Sequence, residues 1–180
     1  MDEIKKQLRK MMLERQKNLS ENYVRASSEN ITKRFLSSEV YKNSEKIFIY
    51  VSTDREPDTL TIINDALAKN KKVYVPKCVN KIMYAVRIYG IKNLVEGRLG
   101  ILEPEDYSET ISPEELDLIV APCLSASLNG KRLGHGMGCY DKFLSVCSTM
   151  TVCFCFKKML CDEIPMNEND VYIKSVLTEE

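Results

Sequence analysis

Tryptophan is absent from this chain, histidine occurs once, and neither sign of charge is in excess. Each scarcity excludes something. A single histidine cannot anchor a His-rich metal centre, and no C-x-x-C pair stands in for one. Lys and Arg total 26 against 26 Asp and Glu, so the basic excess expected of a nucleic-acid binder is missing. No apolar run approaches the ~18 residues of a membrane span. The opening MDEIKKQLRK has no apolar signal core, and its acids disfavour a transit peptide. Seven cysteines, an odd number without paired spacing, argue against a disulfide framework and for reduced thiols. The expectation is a cytoplasmic protein without nucleic-acid or membrane partners.

What is there suggests one domain over residues 1–180. At 44% apolar and 29% charged, the chain can bury a core without staples. Residues 2–19 have helical spacing, with Ile4, Leu8, Met11, Met12 and Leu19 near one face. Ser20 can cap a second helix. Residues 46–52 (KIFIYVS) form a buried strand pattern, and Pro57 can open a helix to about Lys69. Further strands are expected at 71–77, ended by Pro76, at 82–89, and at 116–122, an apolar run of the kind covered on both faces. Residues 90–115 are loop-rich. A helix from about Gly138 to Cys147 leads to a strand at 151–156, where Cys153 and Cys155 share one face as buried thiols. Residues 171–177 can add an edge strand. This alternation gives an α/β class: a three-layer sandwich with a mostly parallel central sheet and helices on both faces.

The most informative stretch is Gly130 to Asp141, GKRLGHGMGCYD. Gly130, Gly134, Gly136 and Gly138 sit among Lys131, Arg132 and His135. Glycine admits positive φ and lets backbone approach a ligand, and a row of bare N–H groups makes an anion site. Asp141 is the odd member, and makes sense beside phosphate if a divalent cation lies between them; a second reading has it capping the helix. The run fits neither G-x-x-x-x-G-K-[ST] nor G-x-G-x-x-G. It therefore supports phosphate binding without naming the nucleotide.

The whole set of landmarks resembles the 5-formyltetrahydrofolate cyclo-ligase (methenyltetrahydrofolate synthetase) family. Residues 129–141 resemble its G-x-R-L-G-x-G-x-G-Y-Y-D signature, Lys5 to Arg9 its K-x-x-L-R entry helix, and Glu56 to Thr59 its E-x-x-T segment. Gly100 to Pro104 resembles its G-x-x-E-P loop, and Ile164 to Glu179 its closing segment. Cys139 stands where the family usually has the first of two tyrosines, Ser127 where aspartate is frequent, and the tryptophan many members carry before the E-P loop is missing.

The resemblance implies that ATP and Mg²⁺ drive the conversion of 5-formyltetrahydrofolate, with or without a polyglutamate tail, to 5,10-methenyltetrahydrofolate, in a monomer. It implies catalytic roles for Arg132 and His135. ATP contacts would come from Lys5, Arg9, Arg132, Leu133, Gly134, His135, Gly136, Met137, Gly138, Cys139 and Tyr140. Folate would meet Val51, Glu56, His135, Gly136, Met137, Gly138 and Cys139, and Mg²⁺ would meet Asp141 and Asp170. Lys5 and Arg9, four apart, share a helix face. Glu56 suits the donor groups of a pterin, although a carboxylate near a helix start is also favoured by the dipole.

Overall fold

The computed structural model describes residues 2–97 and 100–180. The chain opens with α1 (Asp2–Lys17), α2 (Glu21–Ser37) and α3 (Glu39–Asn43), then β1 (Lys46–Ile49) and α4 (Leu60–Ala68). An antiparallel pair follows, β2 (Lys72–Val79) and β3 (Ile82–Ile88). Short strands β4 (Leu94–Glu96), β5 (Leu102–Pro104) and β6 (Thr110–Ile111) lead to β7 (Leu118–Ala121). A small hairpin, β8 (Ser125–Ala126) and β9 (Arg132–Leu133), precedes α5 (Cys139–Leu144), β10 (Met150–Phe154) and the final β11 (Ser175–Leu177).

Seven strands form one sheet in the order β11-β10-β7-β1-β2-β3-β6. The first five are parallel; β3 and β6 join antiparallel at one edge. All four residues of β7 are buried, as its unbroken apolar run requires of a strand covered twice. Side chains alternate across the sheet. Phe48 stacks on Phe143 of α5, at 4.7 Å between ring centroids, on one face. Phe154, of opposite parity in the register, meets Phe35 of α2 edge-on at 4.9 Å on the other. Helices therefore cover both faces, as the sequence pattern implies. No described helix is long and apolar enough to cross a membrane.

Local rules mislead at two prolines. Pro57 does not open α4. Asp58 starts that helix instead, its carboxylate accepting from the amides of Leu60 (2.9 Å) and Thr61 (3.3 Å). Pro76 does not end β2, which continues to Val79. The neighbouring β1 pairs only as far as Tyr74, so at Pro76 the strand is bonded on its β3 side alone and a missing N–H costs little. Several boundaries also contract: β1 stops at Ile49 and α5 at Leu144. In α1, Met12 is buried, but Ile4 (59% exposed) and Met11 (50%) face outward, against expectation. The inward side of that helix instead carries Lys5, 6% exposed. A buried lysine needs a partner.

Candidate functional site

Two segments leave the carboxyl ends of adjacent parallel strands, where open α/β sheets place ligands. The first, 50–59, follows β1 and is internally braced. The Thr59 hydroxyl donates to the Tyr50 carbonyl (2.7 Å) and accepts from the Ser52 amide (3.0 Å). The Ser52 hydroxyl accepts from the Thr59 amide (3.0 Å), and the Tyr50 hydroxyl donates to the Pro57 carbonyl (3.0 Å). Burial holds the Tyr50 phenol far above its usual pKa, so it stays a donor. Val51 is buried at the base of this segment. Glu56 Oε2 accepts from the amide and hydroxyl of Thr53, both at 2.9 Å. Its carboxylate thus clamps its own turn rather than a helix start, and Oε1 has no protein partner among the described residues.

The second segment follows β7 and contains the glycine run, which divides into two parts. Gly130 (φ +90°) belongs to the β8–β9 hairpin. Its carbonyl accepts from the Ile173 amide at 2.8 Å, and a Cβ there would strike the Ile173 carbonyl oxygen. It is a structural crossing point for the C-terminal tail. Residues 134–138 form the open loop: His135, Gly136, Met137 and Gly138 are exposed, with φ of +101° at Gly136 and +69° at Gly138. Leu133, just before it, is buried and can offer a ligand only its main chain. Cys139 is also buried, and its thiol lies 3.8 Å from the Met137 carbonyl.

Cations from distant parts of the chain converge on this loop. Arg9 Nε donates to the Gly134 carbonyl at 3.0 Å, and its guanidinium lies close enough to Gly136 that a Cβ would approach it to 3.3 Å. One turn earlier on α1, the Lys5 ammonium pairs with Asp170 in the tail. Arg132 runs beneath Gly134. Nη2 donates to Asp141 Oδ1 at 2.9 Å, Nη1 to the Pro122 carbonyl at 3.2 Å, and the guanidinium stacks over Tyr140 at 5.7 Å. Its Nε is buried without a hydrogen-bond partner. Burial pushes the Tyr140 phenol well up, with Arg132 opposing; the ring packs against Phe48 as a core residue does.

Backbone links Asp141 to the turn that carries Asp170. Asp141 does not cap α5; its Oδ1 accepts from the Val171 amide (3.2 Å) as well as from Arg132. That bond brings the preceding residue, Asp170, alongside. Asp170 Oδ2 accepts from the Asn167 amide (2.6 Å), closing the turn that presents it. No cluster of three or more metal-ligating side chains exists among the described residues. The donor set fits Mg²⁺ nevertheless, since that ion commonly takes one or two carboxylates and completes its shell with water and substrate phosphates.

Two clefts flank these elements. The larger, about 950 Å³, runs between α2 and residues 52–61, with Glu56, Arg25, Lys33 and Arg55 on its walls. The glycine loop does not line it. The smaller, about 480 Å³, lies between the β2–β3 turn and α5 and is walled by Met83, Cys139 and Phe143. Sequence reasoning passed over Asn167 and the Val171 amide, which position the two carboxylates. It also passed over Lys77, whose ammonium joins Glu103 (3.1 Å) and the Pro104 carbonyl (2.6 Å) and so ties the E-P loop to β2. No local pattern marks the Val171 amide or Lys77, because each acts on a partner far along the chain, and Asn167 acts through its main-chain amide, which its residue type does not announce.

The model of the 5-formyltetrahydrofolate cyclo-ligase family matches residues 1–179. The probable 5-formyltetrahydrofolate cyclo-ligase of Caenorhabditis elegans is 30% identical over 192 residues, covering 98% of this chain and 93% of the relative. The Mus musculus 5-formyltetrahydrofolate cyclo-ligase is likewise 30% identical, over 98% of this chain and 94% of its own. The NMR structure of the Aquifex aeolicus 5,10-methenyltetrahydrofolate synthetase matches with a TM-score of 0.87 at 29% identity, over 98% of this chain and 90% of that one. With the sheet order, the glycine loop and the paired charges in place, the chain belongs to the 5-formyltetrahydrofolate cyclo-ligase family and is an enzyme of that class.

Proposed function

We propose that this protein closes 5-formyltetrahydrofolate to 5,10-methenyltetrahydrofolate at the expense of ATP and Mg²⁺. An N-formyl group is a poor electrophile, and its oxygen leaves badly. Transfer of the terminal phosphoryl of ATP to that oxygen solves both problems. The folate N10 then attacks the formyl carbon, the five-membered ring closes, and phosphate departs, leaving ADP. Such chemistry asks a protein chiefly for positioning and charge neutralisation.

Lys5, Arg9 and Arg132 supply the positive charge, and the exposed amides of 134–138 complete the phosphate cradle with the backbone of Leu133 and the start of α5. Asp141 and Asp170 would hold Mg²⁺, which supplies charge neutralisation across the phosphates. Glu56 Oε1 faces the pterin donors, with the Val51 backbone beneath. His135, Met137 and Cys139 line the junction where the two substrates meet. The observation that carries this reading is the convergence of α1, the glycine loop, α5 and the tail on one point: Arg9 on Gly134, Lys5 on Asp170, and Arg132 and Val171 on Asp141. Seven free thiols support a reducing, cytoplasmic setting.

The direct test mixes the protein with 5-formyltetrahydrofolate, ATP and Mg²⁺ and follows the absorbance of the methenyl product. Product that appears only with all three present supports the reading. Folate binding without ATP consumption would replace it with a binding role.

A further inference from the structure

The reaction proposed above takes place at N10 of the folate, which is the aniline nitrogen of its aminobenzoyl arm. The benzoyl ring therefore lies one bond from a reacting atom, and beyond it come the γ-linked glutamates, each bringing a carboxylate. Of the two clefts, the larger suits this arm poorly. The glycine loop does not line it, and acids outnumber bases on its walls. The smaller differs in both respects. Cys139, at the end of the glycine run, forms one wall, with Met83, Phe143 and Val146 as apolar neighbours. Among the described residues its only charged side chains are Lys81 and Lys142. Both lysines are exposed, and neither has an ion-pair partner among the described residues.

The place of this cleft along the sheet agrees. The β2–β3 turn stands at the carboxyl end of β2, and β2 runs parallel beside β1. Neighbouring strands lie ~4.8 Å apart, so a ligand whose pterin meets the segment after β1 reaches the turn after β2 by extending across the sheet. Lys81 occupies that turn at a backbone cost. Val79 pairs with Ile82, which leaves Asn80 and Lys81 as a two-residue loop, with φ of 51° and 64°. Asparagine suits the first place of such a turn and glycine the second. A lysine in the second place accepts the left-handed region, uncommon for a residue with a side chain, and sets an ammonium at the cleft.

We propose that Lys81 and Lys142 are specificity-determining residues for the glutamate tail, selecting a polyglutamylated folate over the monoglutamate. The inference rests on the folate reading of the site. The benzoyl ring lies against Met83 and Phe143, and carboxylates of the second and later glutamates pair with the two ammonium groups. A cleft of about 480 Å³ is of the size that takes small molecules, and its open mouth leaves the end of a longer tail in solvent. Neither lysine falls within the stretches that carry the family resemblance; Lys142 directly follows the last residue of the signature. The preference is therefore built from this chain's own residues. Exposed ion pairs are individually weak and screened by salt, so two of them give a preference of about tenfold, not a thousandfold.

The test measures KM for the monoglutamate and triglutamate forms of 5-formyltetrahydrofolate, and titrates each calorimetrically into the protein without ATP. In the wild type the triglutamate has a KM and a Kd about tenfold lower, and the gap closes as ionic strength rises. Lys81→Ala combined with Lys142→Ala brings the ratio close to one. Lys81→Arg combined with Lys142→Arg restores it, and KM for ATP moves with neither pair. Val146→Glu, at a position 56% exposed on the same cleft, narrows the ratio by setting a carboxylate beside the tail. A wild type that binds both forms equally overturns the proposal, as does a preference that survives the double alanine variant. A rise in KM for ATP in that variant would give the cleft to the nucleotide and overturn the proposal too. A protein that prefers the triglutamate through these lysines, yet makes no methenyl product, would instead refute the proposed function and leave the tail site standing.

Discussion

Asp141 does two jobs that substitution can separate. Its side chain is 23% exposed and accepts from Arg132, whose own side chain is only 3% exposed. Asp141→Ala leaves that guanidinium with one acceptor, the Pro122 carbonyl, and an Nε that is already unpaired. Breaking a buried ion pair from one side costs ~3–5 kcal/mol, and the partial exposure of Asp141 points to the lower end, about 3 kcal/mol. Asp141→Asn keeps an oxygen for both Arg132 and the Val171 amide and loses only the charge assistance, about 1 kcal/mol. For a domain of this size each kcal/mol moves Tm by ~2–4 °C, so alanine should lower Tm by about 6–12 °C and asparagine by about 2–4 °C. Turnover should behave differently. If the carboxylate shares a cation with ATP, asparagine should cost about 100-fold or more despite its mild effect on folding. Differential scanning fluorimetry and the methenyl absorbance assay read the two quantities. Equal Tm losses for the two variants would refute the buried-charge argument, and full turnover by Asp141→Asn would remove Asp141 from the metal site.

Three further outcomes follow from the geometry. Gly130→Ala should destabilise by ~3 kcal/mol or more, because positive φ and collision with the Ile173 carbonyl act together, whereas Gly138→Ala meets no atom within 4 Å and should cost only ~1–2 kcal/mol; similar denaturant midpoints would contradict this. Glu56→Gln retains an oxygen for the Thr53 amide, so the turn should survive while the KM for folate rises and that for ATP does not; the reverse pattern would reassign the residue. Burial alone would raise the pKa of Asp65, but hydrogen bonds from Lys69 and Tyr41 outweigh it and pull the value down. A depressed folded pKa stabilises above the ordinary carboxylate value, ~3.9, and that stability is lost as pH falls through the lower, folded value. Urea titrations of wild type and Asp65→Asn should therefore differ by a constant amount near neutrality and converge in acid; a gap that widened in acid would mean the sign is wrong.

The sheet was legible because its signals are local and redundant. A strand such as 118–121, apolar at every position, has no alternative to burial on both faces. The two prolines were misread because their consequences depend on neighbours absent from a local window. Pro76 is tolerated only because β1 has already ended, and Pro57 is overruled by the carboxylate one residue later. The glycine run was legible as an anion loop, yet Gly130 proved to serve the tail crossing, a contact with Ile173 that no spacing rule announces.

The charges of the site explain why composition was silent about it. Lys5 pairs with Asp170 across 165 positions, and Arg132 with Asp141, so two of the three cations of the cradle are neutralised by a carboxylate beside them, and Arg9 rests on a carbonyl. Such a site adds only the Arg9 charge to the balance, too little to show in the composition. Neutralisation also keeps a lysine and an arginine folded into low-exposure positions that neither could occupy alone. In the proposed function the same four groups exchange partners: the ammonium and guanidinium turn to phosphate oxygens, and the two carboxylates are left to the divalent cation that accompanies them. The net charge of protein plus ligand in the cradle then stays small throughout, which limits the desolvation cost of burying a polyphosphate there. A loop with bare amides alone would have to bear that cost unaided.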